Sequence, residues 1–443
     1  MRVTILFALE EFQAYFPRYE QLPGRANEFA LQVQGIVPKP PEQILQRDAA
    51  IGIFLPTMRT EFRFIRQGMV TISTVSFHGV KVAKVKGLRV IIGAHLPSAK
   101  VLEQHLFAGP KTGVVLALIW DTPPKLQPYT TMRLQTTPHI LMVRPANFAF
   151  NEETAASNAF QSRDGKLSAA EMRERAMQEF DGFVAQLREA GVDVIIARDT
   201  EQPVKPDAVF PNNWITFHQE GFIVTYPMFA PTRRLERNDA ILDRVLEKGY
   251  RSERRICLET NEAQNRFLEG TGSIIFDHQH RLAYACLSPR TDASLLEELC
   301  QDIGYQKVVF HALDGNGQDI YHTNVMMALG ETFVVICLDT LRDPAERSMI
   351  EQKFKETGKE VVDISLAQMN SFAGNMLQVR NLEGQTILVM SSQAYRALLP
   401  EQIQKLESHT QLLHAPIDTI ETYGGGSARC MMAEVFLPMS TSR

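Results

Sequence analysis

The chain has 443 residues, and its 46 basic and 51 acidic side chains leave a net charge of −5. With 44% hydrophobic and 22% charged residues and a mean hydropathy of −0.14, it has the composition of a folded globular protein, not a disordered one. Nothing in that balance calls for nucleic acid or an anionic membrane, so a small molecule is the expected partner. The longest apolar run, Val114 to Trp120, ends at Asp121, far short of the ~20 residues of a membrane-spanning helix. The apolar start Val3 to Leu9 runs straight into Glu10 and Glu11, which makes a poor signal peptide. The expected compartment is the cytoplasm. Cys257, Cys286, Cys300, Cys337 and Cys430 are odd in number and form no C-x-x-C pair, which favours free thiols over disulfides or a zinc cluster.

In chain order, residues 1–131 come first and differ from the rest. They hold 15 Lys/Arg against 9 Asp/Glu, a balance of +6, whereas the other 312 residues carry 31 against 42, or −11. They contain no cysteine, and their Val/Ile/Thr-rich stretches Met69 to Ser76 and Val80 to Ile92 read as strands. No chemical motif stands out there. The Pro/Thr-rich run Asp121 to Pro138 reads as a linker. We therefore divide the chain into an N-terminal extension, 1–131, of unassigned structure, and a self-sufficient part, 132–443. The extension is either an appended domain or an over-long start with Met132 as the true initiator.

The second part repeats itself. Trp214 to Met228, Ser273 to Leu287, Asn324 to Leu338 and Asn375 to Ser391 each read as two apolar strands joined by a polar turn. A fifth unit starts at Cys430, runs through Met431, Met432 and Val435, and is completed by Ile140 to Val143 from the other end of this part. The starts lie 51 to 59 residues apart, a period of propellers and arrays. Helices fill the gaps. Ser168 and Glu171 form a capping box for a helix ending at Gly191, with Phe180, Phe183, Val184 and Leu187 on one face. Asp292 opens a helix that carries Leu295, Leu296 and Leu299 and stops at Gly304, and Pro344 to Gly358 forms another. Val192 to Ala197, Lys307 to Phe310 and Glu360 to Ile364 supply third strands. The expected fold is thus α/β, a five-bladed pseudo-symmetric α/β propeller.

If the first strands are innermost, the residues at their starts converge on one end of the axis. Those residues are Asn212 and Asn213, Glu269, His322 and Asn324, Asn375, and Cys430. A thiol, an imidazole and a carboxylate gathered in this way are the parts for covalent thiol catalysis. The run Gly424 to Gly426 before Cys430 permits positive φ and bare N–H groups near the sulfur.

The segments PDAVFPNNW (Pro206 to Trp214), LEGTGSI (Leu268 to Ile274), SPRTD (Ser288 to Asp292), YHTNV (Tyr321 to Val325) and GGGSARCM (Gly424 to Met431) resemble the guanidino-group-modifying, or pentein, superfamily. That superfamily includes arginine deiminases, dimethylarginine dimethylaminohydrolases and amidinotransferases. With MVRPANFAFNEETA (Met142 to Ala155) added, the nearest branch is the bacterial amidinotransferase-like proteins linked to citrulline use. The resemblance spans Thr136 to Pro438 and does not reach residues 1–131. It implies Cys430 as nucleophile on a guanidino or ureido carbon, His322 as general acid/base and Glu269 as a holder of substrate N–H groups. It further implies Asp207 as an acidic substrate contact and Arg290 as a partner of the α-carboxylate.

The resemblance also carries a charge argument. Relatives that bind a guanidinium ion commonly place Asp where this chain has Asn213 and Asn324. An amide donates to a carbonyl oxygen, as a carboxylate cannot, so both changes suit a neutral ureido group. The expected reaction is hydrolysis of citrulline to ornithine, ammonia and carbon dioxide, without metal or organic cofactor. The alternatives are an arginine deiminase or dimethylarginine hydrolase, an amidinotransferase, and a non-catalytic propeller that binds an amino acid. The partner is a small amino acid, with neither nucleic acid nor membrane, and a homo-oligomer stays open. The other four cysteines read as core residues, and His278 and His280, despite metal-like spacing, as turn residues lacking a third ligand.

Overall fold

The computed structural model describes residues 133–155, 158, 160–162 and 167–440, together with the backbone of six strands between residues 3 and 120. The chain divides into two compact units, Met1–Thr130 and Thr131–Arg443.

In the first unit, strands β1 (Val3–Ala8), β2 (Glu28–Val33), β3 (Ser73–Phe77), β4 (Val80–Val85), β5 (Leu88–Gly93) and β6 (Val114–Trp120) form one sheet in the order β2-β1-β6-β5-β4-β3. Only β5 and β6 pair in parallel. The expected strands at Met69 to Ser76 and Val80 to Ile92 correspond to β3, β4 and β5; the expected linker falls mostly outside the described residues.

The second unit holds five three-stranded sheets built on one pattern. Four follow the chain: β9 (Ile215–His218), β10 (Phe222–Thr225) and β11 (Arg254–Cys257); β12 (Ile275–Asp277), β13 (Leu282–Cys286) and β14 (Gln306–Phe310); β15 (Met327–Leu329), β16 (Phe333–Ile336) and β17 (Glu360–Asp363); and β18 (Leu377–Arg380), β19 (Thr386–Ser391) and β20 (Gln411–Ala415). The fifth joins the unit's two ends, with β21 (Ala433–Glu434) pairing with β7 (His139–Arg144), which pairs with β8 (Asp193–Arg198). In every sheet the middle strand runs antiparallel to the first and parallel to the third.

This alternation explains where the helices lie. An antiparallel partner needs only a tight turn, while a parallel one needs a long crossover, which a helix fills. The crossovers contain Ala169–Glu189, Asp239–Leu246, Ala293–Ile303, Pro344–Glu356 and Pro400–Glu407. Ser168 and Glu171 make the expected capping box, and Phe180, Phe183, Val184 and Leu187 are the buried stripe. Asp292 caps its helix through the Leu295 N–H, and Gly304 ends it at φ 72°, a left-handed geometry that suits glycine. First and middle strands make up much of the core: all of β9, β10, β12, β13, β15 and β16 is buried.

Among the four cysteines expected in the core, Cys286, Cys300 and Cys337 are buried, but Cys257 is exposed. It ends β11, the outermost strand of its sheet, where side chains alternate and Ile256 takes the inner face. No helix among the described residues is long and apolar enough to cross a membrane.

Candidate active site

Single helical turns stand in front of four first strands: Pro211–Asn213, Gly270–Ser273, Thr323–Met326 and Ala428–Met431. Ser273, Asn324 and Cys430, expected to open strands, lie in these turns instead. A turn of three or four residues shows no helical period in sequence, so the apolar run that follows masks it. Close packing between repeats accounts for two glycines: a Cβ on Gly270 would strike the Asn212 carbonyl oxygen, and one on Gly374 that of Val325.

The turns bring the sequence-selected residues to one pocket. Cys430, His322, Asp207, Asn213 and Arg290 line it, and its open space, mouth included, is about 300 Å³. Glu269 lies behind His322, with its Oε2 accepting from the ring Nε2 at 2.8 Å and its Oε1 from the Phe229 N–H at 2.8 Å. Asn324 does not line the pocket; its Nδ2 donates to Cys430 Sγ at 3.3 Å.

Glu269 has no exposed surface. Burial alone would raise its carboxyl, but Arg290, His322 and Arg233 outweigh that and hold it at about 2. For His322 burial is the largest influence; it pushes the ring below its ordinary value against the pull of Glu269. A neutral ring whose Nε2–H is given to Glu269 carries its lone pair on Nδ1. That is a base, oriented by a carboxylate, at the wall of a pocket that also holds a thiol.

Arg290 is buried, with its guanidinium 3.6 Å from Glu269 and 4.8 Å above the Tyr321 ring. Asp207 accepts from Asn151 Nδ2 at 2.8 Å through Oδ2, while its Oδ1 has no hydrogen-bond partner among the described residues. Burial raises this carboxyl above the ordinary range, with Arg233 and Asn151 opposing.

Sequence reasoning missed Arg233. It sits in the turn Pro231–Arg234, is 4% exposed, and grips Glu236 with two bonds of 2.8 Å. Its NH1 donates to Asn213 Oδ1 at 2.8 Å. A guanidinium only donates, so it fixes the amide's orientation and turns Asn213 Nδ2 away; that nitrogen is buried without a partner. Glu236 three residues on was the available signal, but Arg233 to Arg237 reads as a surface charge run.

The glycine run has a packing reason. Gly425 ends the helix Asp418–Gly424 at φ 65°, and a Cβ on Gly424 or Gly426 would come within 2.9 Å of the Phe210 ring. Below it, the Ser427 hydroxyl donates to Glu421 Oε1 at 2.6 Å, and the Ser427 carbonyl accepts from Cys430 N–H at 3.0 Å. His278 and His280 are bound to protein partners: Tyr305 hydroxyl at 2.8 Å and Asp277 at 3.0 Å.

No curated protein matches the chain. Among solved structures, apo ArgZ, an arginine dihydrolase from the ornithine–ammonia cycle in cyanobacteria, aligns with a TM-score of 0.53 and 18% identity, over 68% of this chain and 41% of that one. The N-terminal domain of ArgZ bound to product gives 0.52 and 18%, over 68% and 99%. Unliganded AgrE gives 0.53 and 18%, over 69% and 40%. This chain thus spans about two fifths of the length of the longer ArgZ and AgrE chains, and at such identity the likeness is one of fold. The family model described as N,N dimethylarginine dimethylhydrolase, eukaryotic, matches residues 144–437. The chain belongs to that family, and with it to the guanidino-group-modifying pentein superfamily.

Proposed function

We propose that the protein hydrolyses the ureido group of citrulline, giving ornithine, ammonia and carbon dioxide, with Cys430 as nucleophile. The observation that carries this reading is Asn213. Arg233 holds its oxygen, so its unpartnered NH₂ is the face left for substrate. A ureido carbonyl oxygen accepts such a hydrogen bond, whereas a guanidinium has only donors to set against it. Asp207 Oδ1 is the matching acceptor for a ureido N–H.

In this reading His322 takes the thiol proton as Sγ bonds to the ureido carbon and the C=O pair moves to oxygen. Collapse breaks one C–N bond, and the departing nitrogen receives that proton. His322 then deprotonates a water, which adds to the sulfur-bound carbon and releases Cys430. One water enters overall: it replaces sulfur on the carbon, its proton returns through His322 to the Cys430 thiolate, and the resulting carbamic acid loses carbon dioxide, so the two nitrogens leave as ammonia and the ornithine amine. Glu269 keeps His322 in one tautomer, and Arg290 receives the α-carboxylate.

A second reading makes arginine the first substrate, favoured by Asp207 Oδ1 and the ionised Glu269, two carboxylates near a cation's place. Supplying citrulline, arginine and dimethylarginine separately and following ornithine and ammonia tests both. Turnover of arginine with little on citrulline overturns the charge argument and leaves Cys430 and His322 in place.

We also propose that the five sheets close around one axis as a propeller, a reading supported by the contacts of β21 with β9, β12 with β15 and β15 with β18. Residues 132–443 then carry the activity alone. A chain starting at Met132 should fold and keep its rate, and an insoluble or inactive product contradicts this division.

A further inference from the structure

Asn375 lies just before β18, 2% exposed, and each of its amide atoms has an assigned direction. Its Oδ1 accepts the Arg429 N–H at 3.1 Å. A backbone N–H only donates, so this bond fixes the flip of the amide and leaves Nδ2 on the other side. There Nδ2 donates to the Asn324 carbonyl at 3.0 Å and to Cys430 Sγ at 3.3 Å. The Arg429 side chain is itself tied down, to Met432 O at 3.0 Å and Glu434 at 2.8 Å. The pinning bond is therefore anchored one residue from the nucleophile.

The sulfur thus has two amide N–H groups aimed at it, from Asn375 and from Asn324. A neutral thiol is a weak acceptor, while a thiolate is a strong one, so paired donors favour the charged nucleophile. When the proton is on sulfur, Asn375 Oδ1 at 3.7 Å faces it. Cys286, also buried, has no amide donor on its sulfur: it accepts from the Thr323 hydroxyl at 3.5 Å and faces the Ile320 carbonyl at 3.4 Å, an acceptor suited to a thiol.

We propose that Asn375 is a catalytic residue whose side-chain amide stabilises the Cys430 thiolate, an inference that rests on the reading of Cys430 as nucleophile. Asn375→Asp keeps an acceptor for the Arg429 N–H but removes the donor both to sulfur and to the Asn324 carbonyl, so a urea melt that matches wild type is required before its chemistry is read. The readout is the rate of iodoacetamide labelling of Cys430 at pH 7, by peptide mass, beside kcat and KM. In the wild type, labelling of the Cys430 peptide is expected beside that of the exposed Cys257; no labelling at Cys430 overturns the nucleophile reading and this inference together. With wild-type labelling present, Asn375→Asp should label about tenfold more slowly and regain its rate as pH rises. Its kcat should fall roughly 100-fold with KM little changed. Labelling and kcat both within about twofold of wild type overturn the role of Asn375 while Cys430 stands. If the carboxylate prevents folding, Asn375→Ser, whose hydroxyl is too short to span to the sulfur, is read by the same labelling and kinetic assays with the same criteria.

Discussion

Asp277, at the far end of β12, and Asp207, at the pocket, are both buried, yet their surroundings use them differently. Asp277 accepts from the His280 backbone at 2.9 Å and ring at 3.0 Å, and lies 3.5 Å from Lys359 Nζ. That ammonium also donates to the carbonyls of Gly330 and Glu331 at 3.0 and 2.8 Å. Its capacity is taken up within the protein. Asp207 keeps Oδ1 without a hydrogen-bond partner, and Asn213 Nδ2 beside the same pocket is also without one. A buried unsatisfied polar atom costs about 1–3 kcal/mol, a cost that a bound ligand can offset. At the pocket, then, Asp207 Oδ1 and Asn213 Nδ2 keep hydrogen-bonding capacity that a ligand can meet, whereas that of Asp277 is spent within the protein.

The largest effect is expected at Glu269, which ties His322 and Arg290 together: Glu269→Gln should lower kcat about 10³-fold, measured by ornithine release at saturating substrate. Next come the two aspartates as a crossed pair. Asp207→Asn should reduce kcat/KM roughly 100-fold without loss of stability, since burial already penalises its charge. Asp277→Asn should do the reverse, costing about 3 kcal/mol by leaving Lys359 unpaired and sparing the rate of the folded enzyme. Urea melts and kinetics on both variants check the crossing, and equal effects on both quantities would break the comparison.

A smaller effect is expected at Asn213. Asn213→Asp places a carboxylate beside Arg233 and removes the donor to substrate. The ratio of kcat/KM for citrulline over arginine should fall about tenfold, and an unchanged ratio counts against the ureido reading. The smallest concerns Glu421 beneath the glycine run, pushed from 4.5 up to about 7 by burial, with Asp418 and Glu179 adding to the rise. Between those two pH values the folded state holds a proton that the unfolded state releases, so stability falls as pH rises through the window, by about 1 kcal/mol per unit. Glu421→Gln should flatten this slope in urea melts at pH 5, 6 and 7, while an unaltered slope assigns it elsewhere.

How much was legible in the sequence follows from range. The caps at Ser168, Asp292 and Gly304 are local patterns, readable within four residues of the helix ends. The repeat was readable because four of five hairpins are local, and the fifth could be inferred from its two unmatched halves. The turns that follow Glu269 and His322, and the one that contains Cys430, left no trace, since three or four residues are too few to show a helical period. Arg233 was hidden for another reason. Its burial depends on Asn213 and Phe210 arriving from a separate element, and the one local cue, Glu236, lies in a charge run beside the half-buried Arg234. Asn324 was found but read as a substrate contact; only the three-dimensional placement put its amide on the sulfur.

In the proposed reaction Cys430 becomes covalently bound to the carbon that is hydrolysed. Acid quenching of a single turnover with citrulline, followed by peptide mass mapping of all five cysteines, tests it most directly. A transient adduct is expected on the peptide that contains Cys430, matching the substrate carbon after loss of one nitrogen, with no turnover by Cys430→Ala. An adduct on another cysteine, or turnover surviving in Cys430→Ala, would contradict it.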